Sequence, residues 1–171
     1  MASRYLYGPL TRLGLIVAFL AAAADQALKL WLIFVYDLGR RGSVALGPYL
    51  DLVLSWNTGI SYGLFRQQGA WGQWALLAVK VIAVALLWVW LARATSRLSA
   101  VALGLIIGGA VGNAIDRLTF GAVADFVLFH ITTTAWRFDW YVFNLADVAI
   151  VGGVIGLFFD QLTARDAAKA P

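Results

Sequence analysis

"VALGLIIGGAVGNAIDRLTFGAVADF", residues 101–126, decides how this chain is read. The first half is apolar and glycine-rich. The second half holds two aspartates, Asp116 and Asp125. An apolar run of this kind predicts a membrane helix. A carboxylate beside such a run carries a heavy solvation cost, so each needs a partner or a chemical task.

The rest of the chain agrees with a membrane setting. Of its 171 residues, 62% are hydrophobic and only 13% charged, where a soluble domain carries about 25%. The mean hydropathy is +0.81. Four apolar segments are expected to cross the bilayer, over about residues 13–35, 71–91, 98–115 and 141–159. The expected fold is therefore an all-α polytopic membrane protein, residues 1–171 forming a single membrane domain. The first segment follows Arg4 and Arg12 and runs into "AAAA", as a cleaved signal peptide would. It then resumes as "LWLIFV" beyond Lys29, which predicts a retained helix.

Arg4, Arg12, Arg93, Arg97, Arg165 and Lys169 fall on one side of a four-span arrangement. By the positive-inside rule that side, with both termini, is cytoplasmic. Arg40, Arg41, Arg66 and Arg137 oppose this bias and weaken it. Segments 36–70 and 116–140 then face outward, the second as a loop. Within the first, "YLDLVLSWN" (49–57) alternates, with Leu50, Leu52, Leu54 and Trp56 on one side. A period of two predicts a half-buried strand, hence a small extracytoplasmic β-sheet. "ISYGLF" (60–65) would continue it as strand or interfacial segment. Trp136, Trp140, Tyr141 and Phe143 predict an interfacial aromatic belt. The tail "TARDAAKAP" is expected to be unstructured.

Composition limits the chemistry. The chain has no cysteine, no glutamate and one histidine, His130. That removes thiolate nucleophiles and thiolate or histidine-rich metal sites. The net charge of +4 is scattered, which suits membrane flanks and not nucleic acid. Acid–base work is left to nine aspartates, lysine, tyrosine or water.

Gly104, Gly108 and Gly112 recur every four residues, as do Gly152 and Gly156. This spacing predicts close packing of the third and fourth segments. Asn113, Asp116 and Arg117 share a helix face at the outer end of the third. Asp125 has no cation nearer in sequence than Arg117. Asp147, in "FNLADVAI", is expected about one turn into the fourth segment, with Asn144 on the same face. Two such carboxylates brought together would share a proton, the charged one activating water and the protonated one polarising a carbonyl. Spacing alone leaves them one candidate pair among the aspartates. Asp25 and Lys29, four apart, could neutralise each other or reach polar groups on other segments. Lys80 stands mid-segment without a partner within a turn. Asn57, in "NTG", could donate to a substrate backbone. A small proton-coupled transporter, with Asp25, Lys29, Asp116 and Asp147 as relay, is the alternative reading.

Taken together, "DQALK", "NTGISYGLF", "GGAVGNAIDR", "VADF" and "FNLADVAI" resemble, in order and spacing, the signature blocks of the lipoprotein signal peptidase family, signal peptidase II. The resemblance spans residues 25–150. It implies an intramembrane aspartyl endopeptidase of the bacterial inner membrane, working near the periplasmic face. Its substrates would be prolipoproteins, cut before a diacylglyceryl-modified cysteine. The implied catalytic pair is Asp125 and Asp147. The implied supporting residues are Asp25, Lys29, Asn57, Gly59, Gly109, Asn113, Asp116, Arg117, Val123, Asn144 and Ala146. No cofactor or metal is implied. The expected partners are the lipidated substrates, the phospholipid bilayer and globomycin-type cyclic peptide inhibitors, with the enzyme acting as a monomer. Ala124 stands where the family commonly has valine.

Overall fold

The computed structural model describes residues 6–59 and 70–167. Helix α1 (Thr11–Leu30) continues into a π-helical turn, Trp31–Val35. A short helix α2 (Leu38–Arg41) leads into strands β1 (Val44–Ala45) and β2 (Leu50–Asn57). Helices α3 (Ala70–Ala92) and α4 (Arg97–Phe120) follow. Strands β3 (Val123–Thr132) and β4 (Arg137–Asp139) precede the last helix, α5 (Leu145–Ala167).

Among the described residues, three helices are long and apolar enough to cross a membrane: Thr11–Val35, Arg97–Phe120 and Leu145–Thr163. A shorter apolar stretch, Ala78–Ala92, belongs to α3. Helix α4 is the centre, and α1, α3 and α5 all pack on it. Among the described residues, α3 and α5 make at most a slight contact with each other. Apolar side chains such as Phe19, Leu86 and Phe158 point outward, the surface expected where lipid and not water is the solvent.

The glycines explain the packing, and they correct the expected partner. In lipid there is little hydrophobic force between helices, so close backbone approach supplies the attraction. A Cβ on Gly104 or Gly108 would run into the backbone of α1 at Gly14 and Ala18, and one on Gly112 into the carboxylate of Asp25. This row faces α1, not α5. Contact with α5 is made by Gly109, against the carbonyl of Ala146, and by Gly153, against that of Ala102. Gly156 sits near Ala102, but Gly152 has nothing near it.

The four strands form one antiparallel sheet in chain order. The class is therefore a helical bundle with a sheet at one end, more β-rich than expected, because residues 116–140 are not a loop. Asp116 and Arg117 belong to α4. Gly121, with φ of 75°, ends that helix and donates its N–H to the carbonyl of Arg117. This left-handed turn suits glycine, and it sends the chain straight back into β3.

The alternation expected of 49–57 is broken by an irregularity between Leu52 and Ser55. Leu52 and Leu54 pack on a buried cluster of Leu32, Leu38 and Phe126, while Leu50 and Trp56 are exposed. The sheet is thus fastened to the end of α1 by its own core. "ISYGLF" lies outside the described residues. The tail is not unstructured throughout, since α5 continues to Ala167.

These contacts separate two glycines that look alike in sequence. Alanine at either position gains helix propensity, about 1 kcal/mol. Gly152→Ala is expected to hold or raise the thermal midpoint in detergent. Gly108→Ala should lower it, because overpacking costs about 1–3 kcal/mol. Equal midpoints would contradict the close α1–α4 approach.

Candidate active site

The site starts from a buried cation. Lys29 on α1 is 1% exposed, and an ammonium there needs all three of its protons accepted. Asp25 Oδ2 accepts one at 2.8 Å, Asp116 Oδ2 another at 2.8 Å, and Asn113 Oδ1 the third at 3.1 Å. The expected Asp25–Lys29 pair therefore exists, and it extends to α4. The two carboxylates outnumber the cation, and neutral donors satisfy their remaining oxygens. Asp25 Oδ1 accepts the backbone N–H of Ala146 at 2.9 Å. Asp116 accepts the backbone N–H of Ala124 at 3.1 Å and the amide of Gln26 at 2.7 Å. Four elements, α1, α4, β3 and α5, are thereby joined through one cluster. Gln26 was not among the sequence-based candidates. Its signal was a polar residue beside Asp25 in an apolar helix.

Asn113 carries order outward from this cluster. Its Oδ1 accepts from Lys29 and also from Asn144 Nδ2 at 3.1 Å. With the oxygen fixed, the amide nitrogen must point away, and it donates to Asp147 Oδ1 at 3.0 Å. Asn144 is oriented in the same manner. It precedes α5, and its Oδ1 accepts the backbone N–H of Asp147 at 3.0 Å. In return Asp147 Oδ2 accepts the backbone N–H of Asn144 at 3.2 Å. This reciprocal pair is a capping box built from Asn and Asp. It places Asp147 in the first turn of α5, because the helix begins at Leu145 and not at 141.

The Nδ2 of Asn144 also donates to Asp125 Oδ1 at 2.6 Å. The other oxygen of Asp125 accepts from Asn57 Nδ2 at 3.1 Å. Asn57 is aligned because its Oδ1 accepts the backbone N–H of Gly59 at 3.0 Å. Among the described residues, Asp125 and Asp147 are thus held by three side-chain amides and no direct cation. Asp125 is buried, and Asp147 is half-buried. Burial, then the nearby Asp147 charge, pushes the Asp125 carboxyl up to about 6.

The remaining candidates also gather here. Arg117 donates to the carbonyls of Gly59 at 2.8 Å and Asn113 at 3.2 Å, so it ties the β2 end to α4. Val123 is buried and pairs with Asn57 across the sheet. Gly109 lets Ala146 approach α4. His130 lies apart, 3.3 Å from Asp51 in the sheet. An apolar cavity of about 360 Å³ opens beside Asp147, lined by Phe143, Val148, Val151 and Ile155 among others.

Two carboxylates held by side-chain amides, one of them above its ordinary range, stand at the sheet end of an apolar bundle, an arrangement that suits a membrane-embedded aspartic hydrolase. The chain belongs to the signal peptidase II family, whose model, "Signal peptidase (SPase) II", matches residues 17–163. It is 58% identical over 160 residues to the lipoprotein signal peptidase of Nitrobacter hamburgensis, covering 94% of this chain and 98% of that one. Identity to the Rhodopseudomonas palustris protein of the same name is 54%, with the same coverage. A solved structure described as a bacterial membrane enzyme superposes with a TM-score of 0.70, covering 93% of this chain and 97% of that one. At 24% identity, that likeness shows the shared fold. The transporter alternative has no support from these relatives.

Lys29→Met tests the cluster. It leaves Asp25 and Asp116 buried without their cation, which typically costs about 3–5 kcal/mol. The expected result is a large fall in the thermal midpoint in detergent. A midpoint within a degree or two of the parent would contradict the assigned network.

Proposed function

We propose that Asp125 and Asp147 are the catalytic dyad of an endopeptidase that removes signal peptides from diacylglyceryl-modified prolipoproteins, cutting before the lipidated cysteine. The observation that carries this reading is the amide bridge from Asn113 and Asn144 to both carboxylates. It holds the acids side by side whichever of them carries the proton.

In the reactive form of the dyad Asp125 carries the shared proton, and Asp147 acts as the base. Asp147 takes a proton from a water, and the hydroxyl oxygen bonds to the scissile carbonyl carbon. Asp125 gives its proton to the carbonyl oxygen as that bond forms. Collapse of the gem-diol breaks the C–N bond. The amine leaves with the proton held by Asp147, and a diol proton returns to Asp125. Arg117 and Asn57, donors held beside the dyad, suit substrate carbonyls. The apolar cavity beside Asp147 suits the signal helix.

The setting follows the same reading. All four helices, α3 included, cross the bacterial inner membrane, with both termini cytoplasmic. The sheet and dyad lie near the periplasmic face, where Trp136, Phe138 and Trp140 are exposed at the level of the headgroups. The enzyme acts as a monomer and binds no nucleic acid. Globomycin-type cyclic peptides are expected to inhibit it by occupying the dyad.

Asp125→Asn and Asp147→Asn should each lower cleavage of a diacylated prolipoprotein by about 10³-fold or more, with unchanged thermal midpoints. Full activity in either folded variant would refute the dyad. Cleavage should survive EDTA.

The pH profile has a definite sign. Below about 6 Asp125 holds the shared proton, and above it that proton is lost. The alkaline limb of kcat/KM should therefore report this loss in the free enzyme. The limb of kcat should lie at higher pH, because bound substrate excludes water and further disfavours a second charge. Coincident limbs would argue against a dyad that the substrate buries.

A further inference from the structure

Lys80, half-buried on α3, is a charge that the dyad chemistry leaves unused. It makes no hydrogen bond or ion pair among the described residues. A cation at membrane depth is costly unless it meets an acceptor. Lys80 borders an apolar groove of about 220 Å³ between α3 and α4, shared with Val81, Val84, Ala110, Ala114 and Ile115. Ala114 neighbours Asn113, so the ammonium stands near the level of the amide that holds Asp147. Arg117, Asp147 and Asp116 all lie within electrostatic reach of it. Helices α3 and α5 both pack on α4, and the Lys80 ammonium feels the Asp147 carboxylate.

We propose that Lys80 is a positioning residue that donates a hydrogen bond to an ester carbonyl of the substrate's diacylglyceryl group, with the attached acyl chain in the α3–α4 groove. This rests on the peptidase reading above. The covalent geometry favours it. The ester is joined to the lipidated cysteine through a thioether and a glyceryl carbon, so its carbonyl lies within ~8 Å of that residue's Cα. When the scissile bond is at the dyad, an ester carbonyl must fall nearby, at the same depth. A neutral acceptor tethered there satisfies the ammonium, and the apolar groove takes the chain.

The test compares the parent with Lys80→Met and Lys80→Arg on two synthetic prolipoprotein peptides, one diacylated and one carrying ether-linked dialkylglyceryl. Assays run in zwitterionic detergent, with and without added phosphatidylglycerol. The parent should show about a tenfold higher KM for the ether substrate, with similar kcat, the effect of one lost hydrogen bond to a charged donor. Lys80→Met should raise KM for the ester substrate to that level and abolish the ester–ether difference. Lys80→Arg should restore most of it. A parent that does not distinguish ester from ether, or a Lys80→Met variant that still does, overturns the proposal. So does a Lys80→Met effect that appears only with phosphatidylglycerol, which would assign the ammonium to an anionic lipid. Failure of the peptidase reading looks different: the parent would cleave neither substrate.

Discussion

The molecule is organised around Lys29, an ammonium that gives its three protons to Asp25, Asp116 and Asn113 away from water. A buried ion pair is a weak source of net stability. What this one supplies is direction. Each acceptor on the cation leaves one side of its own group committed, and the other side is then forced outward. Asp25 reaches the start of α5, Asp116 reaches β3, and Asn113 reaches Asp147. The two strands of chain that bring the carboxylates are thus positioned by one cation on a third.

The polarity of each amide follows from a donor that cannot turn round. Lysine fixes Asn113, the backbone N–H of Asp147 fixes Asn144, and that of Gly59 fixes Asn57. All three then present N–H to a carboxylate. Donors of this kind hold an acid in place without fully neutralising it. That is compatible with an Asp125 carboxyl above its ordinary range, which an adjacent lysine or arginine would prevent.

Much of this was legible in the sequence, and the failures have physical causes. The apolar segments, the β2 strand and the Asp25–Lys29 pair could be read because length, period two and four-residue spacing are local signals. Strand β3 could not. Val123 to Phe126 are buried on both faces, so "VADF" shows no alternation, and a buried aspartate resembles a loop residue. The Gly104–Gly108–Gly112 row announces a smooth helix face but not which helix meets it. It met α1, while Gly109, outside the row, admits α5. The start of α5 was misplaced because Tyr141 to Phe143 are as apolar as a helix end, yet Phe143 pairs with Val127 in the sheet.

A site braced by side-chain amides is also open to a slow form of chemical ageing. Hydrolysis of any one of these asparagines to aspartate changes a few atoms and almost no volume. It would replace a donor by an acceptor and add a negative charge beside Asp125 or Asp147. The damage would be electrostatic and silent in the fold's outline. Asparagine is among the thermolabile residues, and reaction is fastest where a small, flexible residue follows. Here the followers are Thr58, Ala114 and Leu145, and the last two lie within helices. The working lifetime of the site is thereby tied to the rigidity of the helix ends that build it.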